Sequence, residues 1–183
     1  SPVWPGKEQS PAIKPLATEL IDSVENYVKA NGLDPMRYNI EIKCRKGKDE
    51  GKNWPEYHEF VDKCMELLLS KNLGDRLVVQ CFDARALNYM HEKYPQVKLS
   101  YLIGKKDTDW DTYMGKLNFT PEWLSPEFVI VDQTMVDNCR KAGIRLVPWT
   151  VDNEADIRRI LDLHVEAIIT NYPDRVLKIT RGY

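Results

Sequence analysis

Residues 38–43 read Tyr-Asn-Ile-Glu-Ile-Lys, a strict alternation that predicts a β-strand. With a period of two, Tyr38, Ile40 and Ile42 share one face, while Asn39, Glu41 and Lys43 share the other. A parallel sheet covered by helices buries both faces, so its strands normally read as continuous apolar runs. A carboxylate and an ammonium side by side in such a sheet are costly unless each is paired or bound. Two readings follow. In one, Glu41 and Lys43 form a mutual ion pair, or the strand is an edge strand with that face in water. In the other they sit at the carboxyl end of a strand, where parallel α/β folds place their sites. Glu41 would then meet a hard cation and Lys43 an anion.

Outward from this strand the chain alternates. Upstream, Leu20, Ile21, Val24, Tyr27 and Val28 keep a helical period over residues 16–30, with Gly32 as the stop. The first fifteen residues, with Pro2, Pro5, Pro11 and Pro15, read as an extended arm, leaving 16–183 as the folded domain. Downstream, Pro55 opens a helix carrying Tyr57, Phe60, Val61, Cys64, Leu67 and Leu68 on one face. Further strands are expected at 77–81, 97–103, 123–125, 145–149 and 165–170. Helices are expected at 83–92, 110–117, 132–142 and 153–163, and a terminal turn at 173–176. Six strands alternating with helices imply a parallel sheet under helices. A doubly wound sheet and part of an eight-stranded barrel both fit; six units are two short of a closed barrel. No glycine-rich phosphate loop follows the first strand, which weakens the nucleotide-binding version.

Composition narrows the function classes. The 183 residues carry 26 Lys+Arg against 28 Asp+Glu, a formal net charge of −2. That balance removes the electrostatic case for nucleic acid, and no apolar stretch is long enough to span a bilayer. Cys44, Cys64, Cys81 and Cys139 have no zinc spacing and are expected to be reduced and mostly buried. Cytoplasm fits such cysteines, and export after loss of a signal peptide fits equally well. The start at Ser1-Pro2-Val3-Trp4 lacks a Met and a signal-peptide core, and reads as an interior start. His58, His91 and His164 fall on helices, not at strand carboxyl ends, so none is placed for acid–base work. Trp149 closes its strand at the presumed active rim, where a flat side chain can wall a small ligand. Cys44 and Cys81 end neighbouring strands near that rim, and Gln80 could reach a ligand or simply bond inside the sheet.

Four segments together resemble the glycerophosphodiester phosphodiesterase family: YNIEIK at 38–43, VVQCFDARALNYMHEKYP at 78–95, VPWTVDNEADIRRILDL at 147–163 and AIITNYPDR at 167–175. The resemblance covers roughly residues 15–175 and implies a (β/α)8 TIM barrel of the phospholipase-C-like phosphodiesterase type, here with about six of eight βα units. It further implies metal-dependent hydrolysis of a glycerophosphodiester to glycerol 3-phosphate and an alcohol. In that family three carboxylates hold Ca²⁺ or Mg²⁺ and two histidines move protons. By motif match Glu41 resembles the third metal ligand and Lys43 a phosphate contact. Trp149 matches the residue beside the glycerol, and Phe82 the aromatic after the fourth strand.

The departures matter equally. The HRG, PENT, Glu-x-Asp and His-Asp motifs that precede IEIK in the family do not occur in residues 1–39. Both histidines and two metal carboxylates are therefore missing, so the chain reads as the carboxyl-terminal two-thirds of a longer enzyme. Such a piece should be inactive alone and hold a metal weakly or not at all. Asp152 stands where the family usually has Asn, and Asn171 where it usually has Asp. His164 takes a helix-end Gly position, which His tolerates because it enters left-handed backbone more readily than most residues. Exposed barrel edges suggest a homo-oligomer, a strand supplied by the arm, or aggregation. The rivals are a non-catalytic barrel homologue acting as a binding or structural module, and an unrelated α/β domain with Cys81 as nucleophile.

Overall fold

The computed structural model describes residues 13–44, 46, 47 and 50–181; the arm expected at 1–15 lies almost wholly outside them. Five strands form one sheet: β1 (Tyr38–Glu41), β2 (Leu77–Cys81), β3 (Lys98–Ile103), β4 (Trp123–Pro126) and β5 (Arg145–Leu146). They lie side by side in chain order, every neighbouring pair parallel. A doubly wound sheet reverses its strand order part-way; a barrel wall steps one strand at a time. The order β1-β2-β3-β4-β5 is that of a barrel wall. Glu41 lies opposite Gln80, Gln80 opposite Ser100, and Leu102 opposite Ser125.

Helices α2 (Tyr57–Leu69), α3 (Ala84–Lys93), α4 (Trp110–Met114), α5 (Gln133–Ala142) and α6 (Glu154–Asp162) follow the strands in turn. The starts of α3 to α6 are set by side-chain caps. Asp83, Asp109, Asp132 and Asn153 each accept a backbone N–H of the first turn, at 2.8–3.0 Å; a cap of this kind contributes about 1 kcal/mol. At the end of α5, Gly143 takes φ 70°, the left-handed conformation that a stop requires. The buried stripes are Val61, Met65 and Leu68 on α2, Leu87 and Met90 on α3, Met135, Val136 and Cys139 on α5, and Ile157 and Ile160 on α6. They cover a sheet whose Val79, Leu99, Leu124 and Leu146 are almost wholly shielded from water.

Two expectations need correction. The stretch at 165–170 is not a strand. It runs alongside the chain after β5 through two hydrogen bonds, Val151 N–H to the Ile169 carbonyl and Ile169 N–H to the Pro148 carbonyl, both 2.9 Å. Pro148 has no N–H to donate, so a regular ladder cannot extend through it. The terminal turn is instead a nine-residue helix, α7 (Pro173–Arg181), opened by a proline at its first position. The chain forms two compact units, residues 1–36 and 37–183. The first unit contains α1 (Ala17–Ala30), which begins as Leu16 N–H donates to Glu19 Oε2 at 3.0 Å. The second unit, from Arg37 onward, holds the sheet. His164 has φ 55°, the left-handed backbone expected there.

One polar knot ties α2 to α3. Asp62 accepts from Tyr89 Oη at 3.0 Å, Tyr94 Oη at 2.7 Å and Lys93 Nζ at 2.8 Å. Burial alone would raise the Asp62 pKa, but hydrogen bonds from Lys93, Tyr94 and Tyr89 outweigh it and hold the carboxyl below its ordinary range. Because the folded-state value is depressed, the stabilisation is fully present above the unfolded carboxylate pKa and is lost as pH falls through the folded one. Asp62→Ala should therefore lower stability to urea by about 1 kcal/mol at pH 7. The wild-type advantage should shrink when the titration is repeated under acid.

Candidate functional site

The carboxyl ends of the strands form one rim. Glu41 ends β1, and its Oε2 lies 2.9 Å from Lys43 Nζ; the Lys43 side chain is 74% exposed and that of Glu41 only 25%. Because β1 is an edge strand, the polar face meets water on one side. Lys43 thus keeps its charge in water, and only Glu41 is partly covered, beside its partner. Behind it, Asn39 Nδ2 donates to Gln80 Oε1 at 3.1 Å, so Gln80 bonds within the sheet.

Phe82 and Trp149 form the second pair. Phe82 follows β2 and is 48% exposed. Its ring meets Trp149 edge to face, centroids 5.5 Å apart and planes at 88°. Between β2 and the chain continuing from β5 stand β3 and β4. In a flat sheet three strand spacings amount to about 14 Å, with side chains standing parallel to one another. Ring contact across that span shows that the sheet curls. Trp149 is anchored on three sides. Its N–H donates to the Pro126 carbonyl at 3.0 Å, its carbonyl accepts from Phe128 at 2.8 Å, and its indole Nε1 donates to the Ser125 carbonyl at 2.8 Å.

A charged bracket supports the rim. Arg85 reaches Asp83 and Glu50 together, with Nη2 2.6 Å from Asp83 Oδ2 and 3.1 Å from Glu50 Oε2, and its guanidinium stacks over Tyr57 at 4.6 Å. Glu50 in turn accepts the Tyr57 N–H at 3.1 Å. The loop after β1 is thereby tied to the start of α3. Residue-by-residue reading did not single out Arg85 or Glu50; the only local signal was an arginine two positions after the Asp83 cap. Ser100 and Ser125 were missed for the same reason: they face each other from β3 and β4, Oγ to Oγ 2.6 Å, fully buried. A cavity of about 570 Å³ opens beside the bracket, lined by Cys44, Phe82, Asp83, Arg85 and Tyr101 among others. A second, of about 390 Å³, opens at the opposite, amino-terminal ends of the strands around Arg76, Lys98, Trp123 and Arg145, away from the rim.

Asp152 and Asn171, the two reversed positions, meet each other. Asp152 Oδ1 accepts the Asn171 N–H at 2.8 Å, and Oδ2 accepts from Asn171 Nδ2 at 2.9 Å. Thr170 Oγ1 adds a third donor at 3.1 Å. Burial would raise the Asp152 pKa, but these bonds and the nearby Arg175 charge hold it below the usual carboxylate range. The two positions thus set a carboxylate against an amide.

The donor set does not make a metal site. Among the described residues no group of three or more His, Cys, Asp or Glu could hold an ion. Glu41, the one carboxylate matched to a metal, already carries the Lys43 ammonium. His58, His91 and His164 are all exposed, and His91 stacks on Phe119 at 4.1 Å. Cys81, at 1% exposure, is closed to a substrate as a nucleophile. Cys81 and Cys139 are buried as expected, whereas Cys44 and Cys64 are only partly so.

Strand order, curl and a polar rim at the strands' carboxyl ends define part of a barrel-type α/β protein. A model of the glycerophosphoryl diester phosphodiesterase family matches residues 6–175, and the chain belongs to that family. A glycerophosphodiester phosphodiesterase of Bacillus subtilis is 30% identical over 120 residues, 64% of this chain and 41% of that protein. One from Caldanaerobacter subterraneus is 24% identical over 127 residues, 68% and 51% respectively. The chain thus spans about half the length of the curated relatives it matches. Among solved structures, an Oleispira antarctica phosphodiesterase in complex with the product sn-glycerol-3-phosphate superposes with TM-score 0.71 at 18% identity, covering 90% of this chain and 60% of that one. A glycerophosphodiester phosphodiesterase from Parabacteroides distasonis gives 0.65 at 21%, covering 87% and 65%. These likenesses establish the TIM-barrel fold, of which this chain is a part.

The exchange at 152 and 171 has a direct test. Asn171→Asp alone sets two carboxylates face to face and raises the pKa of one of them. It should cost about 2 kcal/mol at pH 7, and the loss should vanish below the carboxylate range, where one group is protonated. Adding Asp152→Asn should recover most of the stability, as read by chemical unfolding of the single and double variants.

Proposed function

We propose that this chain supplies the phosphate- and glycerol-contacting wall of a glycerophosphodiester phosphodiesterase site, one that hydrolyses a glycerophosphodiester to glycerol 3-phosphate and an alcohol. The observation that carries the reading is the contact of Phe82 with Trp149 across the curled rim. In this reading the flat Trp149 face walls the glycerol and the Phe82 ring closes its edge. The exposed Lys43 ammonium is a mobile point charge suited to a phosphate. An anion that draws Lys43 outward leaves Glu41 free to accept a hydrogen bond or join a carboxylate set. The metal dependence implied by the resemblance needs donors beyond Glu41, and no step through an ion is derived from these residues. Proton transfer likewise needs a positioned acid or base, which the three exposed histidines do not provide. The position of β1 at one edge of the sheet supports self-association through that edge.

Two measurements test this. In calorimetry, sn-glycerol 3-phosphate should bind the chain in the millimolar range, weakened about tenfold, or 1.4 kcal/mol, by Trp149→Ala or by Lys43→Ala. No binding, or binding indifferent to both substitutions, contradicts the assignment. In the second, this polypeptide with glycerophosphocholine and Ca²⁺ should show no turnover, whereas fusion to the first two βα units of a family relative should restore it. Turnover by the chain alone would contradict the division of labour. A fusion that binds product but stays silent favours the non-catalytic module.

A further inference from the structure

Cys44 and Cys81 stand at the carboxyl ends of neighbouring strands, and the backbone turns one towards the other. The ladder between β1 and β2 persists past Glu41, with Ile42 N–H donating to the Gln80 carbonyl at 2.9 Å. Two residues on, Cys44 N–H donates to the Ile42 carbonyl at 3.2 Å, a three-residue turn just past the paired ladder. Its thiol comes within hydrogen-bonding reach of Cys81 Sγ. Cys81 Sγ also accepts the Asp83 N–H at 3.3 Å. Cys81 is buried, whereas Cys44 is half-buried and lines the rim cavity. One sulfur is reachable from that cavity and the other lies behind it.

The surroundings favour a single shared proton. The bond from the Cys44 thiol, then those from backbone N–H groups, draw the Cys81 pKa below its ordinary value; the same sulfur–sulfur bond and burial push Cys44 up. Cys139 differs, its thiol pushed up to about 12 by burial.

We propose that Cys44 and Cys81 form an oxidisable dithiol, closed to a disulfide by a hydroperoxide entering through the rim cavity. Cys81, the readier of the two to ionise, first accepts the Cys44 proton along their hydrogen bond; the Cys44 sulfur then takes one oxygen from the peroxide, whose O–O bond breaks, and the remainder leaves as an alcohol, or as water from hydrogen peroxide itself. Cys81 sulfur then attacks Cys44, the S–O bond of the sulfenic acid breaks, and water departs with the remaining thiol proton. In sum, two thiols and one hydroperoxide give one disulfide, one alcohol and one water. The new bond joins the residue after Lys43 to the residue before Phe82, so oxidation resets both halves of the rim. That consequence rests on the function proposed above, whereas the bond itself does not.

The test uses the full chain, reduced and freed of reductant, treated with a small excess of hydrogen peroxide at pH 7. Titratable thiols should fall from four to two. Mass mapping under non-reducing conditions should find Cys44 joined to Cys81, and dithiothreitol should reverse the change. Cys64→Ser and Cys139→Ser should each still lose two thiols, while Cys44→Ser should keep all of its remaining three. A wild-type chain that retains four thiols, or bridges through Cys64 or Cys139, overturns the proposal. Neither readout involves turnover or product binding, so failure here is separate from failure of the proposed function.

Discussion

Four parallel pairings, each one step from the last, oblige the sheet to curl, and the rim depends on that curl. Side chains on a flat sheet diverge from partners three strands away; on a curled one they converge over the mouth. Phe82 and Trp149 record the convergence, since they leave β2 and the end of the β5 segment yet touch. The anchoring of Trp149 on Pro126, Phe128 and Ser125 converts the curl into a fixed wall rather than a loose loop. Helices α2 to α6 hold the shape from outside, four seated by a buried stripe and α4 by Tyr113 alone, and four of the five started by a side-chain cap.

Charge is handled locally around this wall. Glu41 takes Lys43, Asp83 and Glu50 share Arg85, Asp62 gathers three donors, and Asp152 faces an amide. Each carboxylate finds donors on its own or a neighbouring element, which lets ions sit near a half-buried surface at modest cost. Asp152 and Asn171 are matched as acceptor and donor. What matters is that one donates and the other accepts.

Much of the architecture was legible in residues alone. Alternation at 38–43 placed a strand, and the helix starts read at 83, 132 and 153 fall on side-chain caps, because both signals are local. The His164 backbone was legible for the same reason. Failures fell where tertiary context decides. Pro148 cut short a ladder that residues 165–170 would otherwise have joined, and α7 outgrew the turn read into Pro173. The Glu41–Lys43 pair was seen but could not be weighed, since its cost depends on β1 lying at the sheet's edge. Arg85, Glu50 and the facing serines left no periodic trace, because their partners are distant in sequence. The barrel winding came from strand order, which periodicity does not encode.

The central claim is that the sheet curls far enough to bring Phe82 against Trp149. Nuclear Overhauser spectroscopy on the chain with selectively labelled phenylalanine and tryptophan reads this contact directly. Cross-peaks between the Phe82 ring protons and the Trp149 indole, lost in Phe82→Leu, are the expected result. A folded chain in which these two rings share no cross-peak would contradict the curl, and with it the rim as a binding wall.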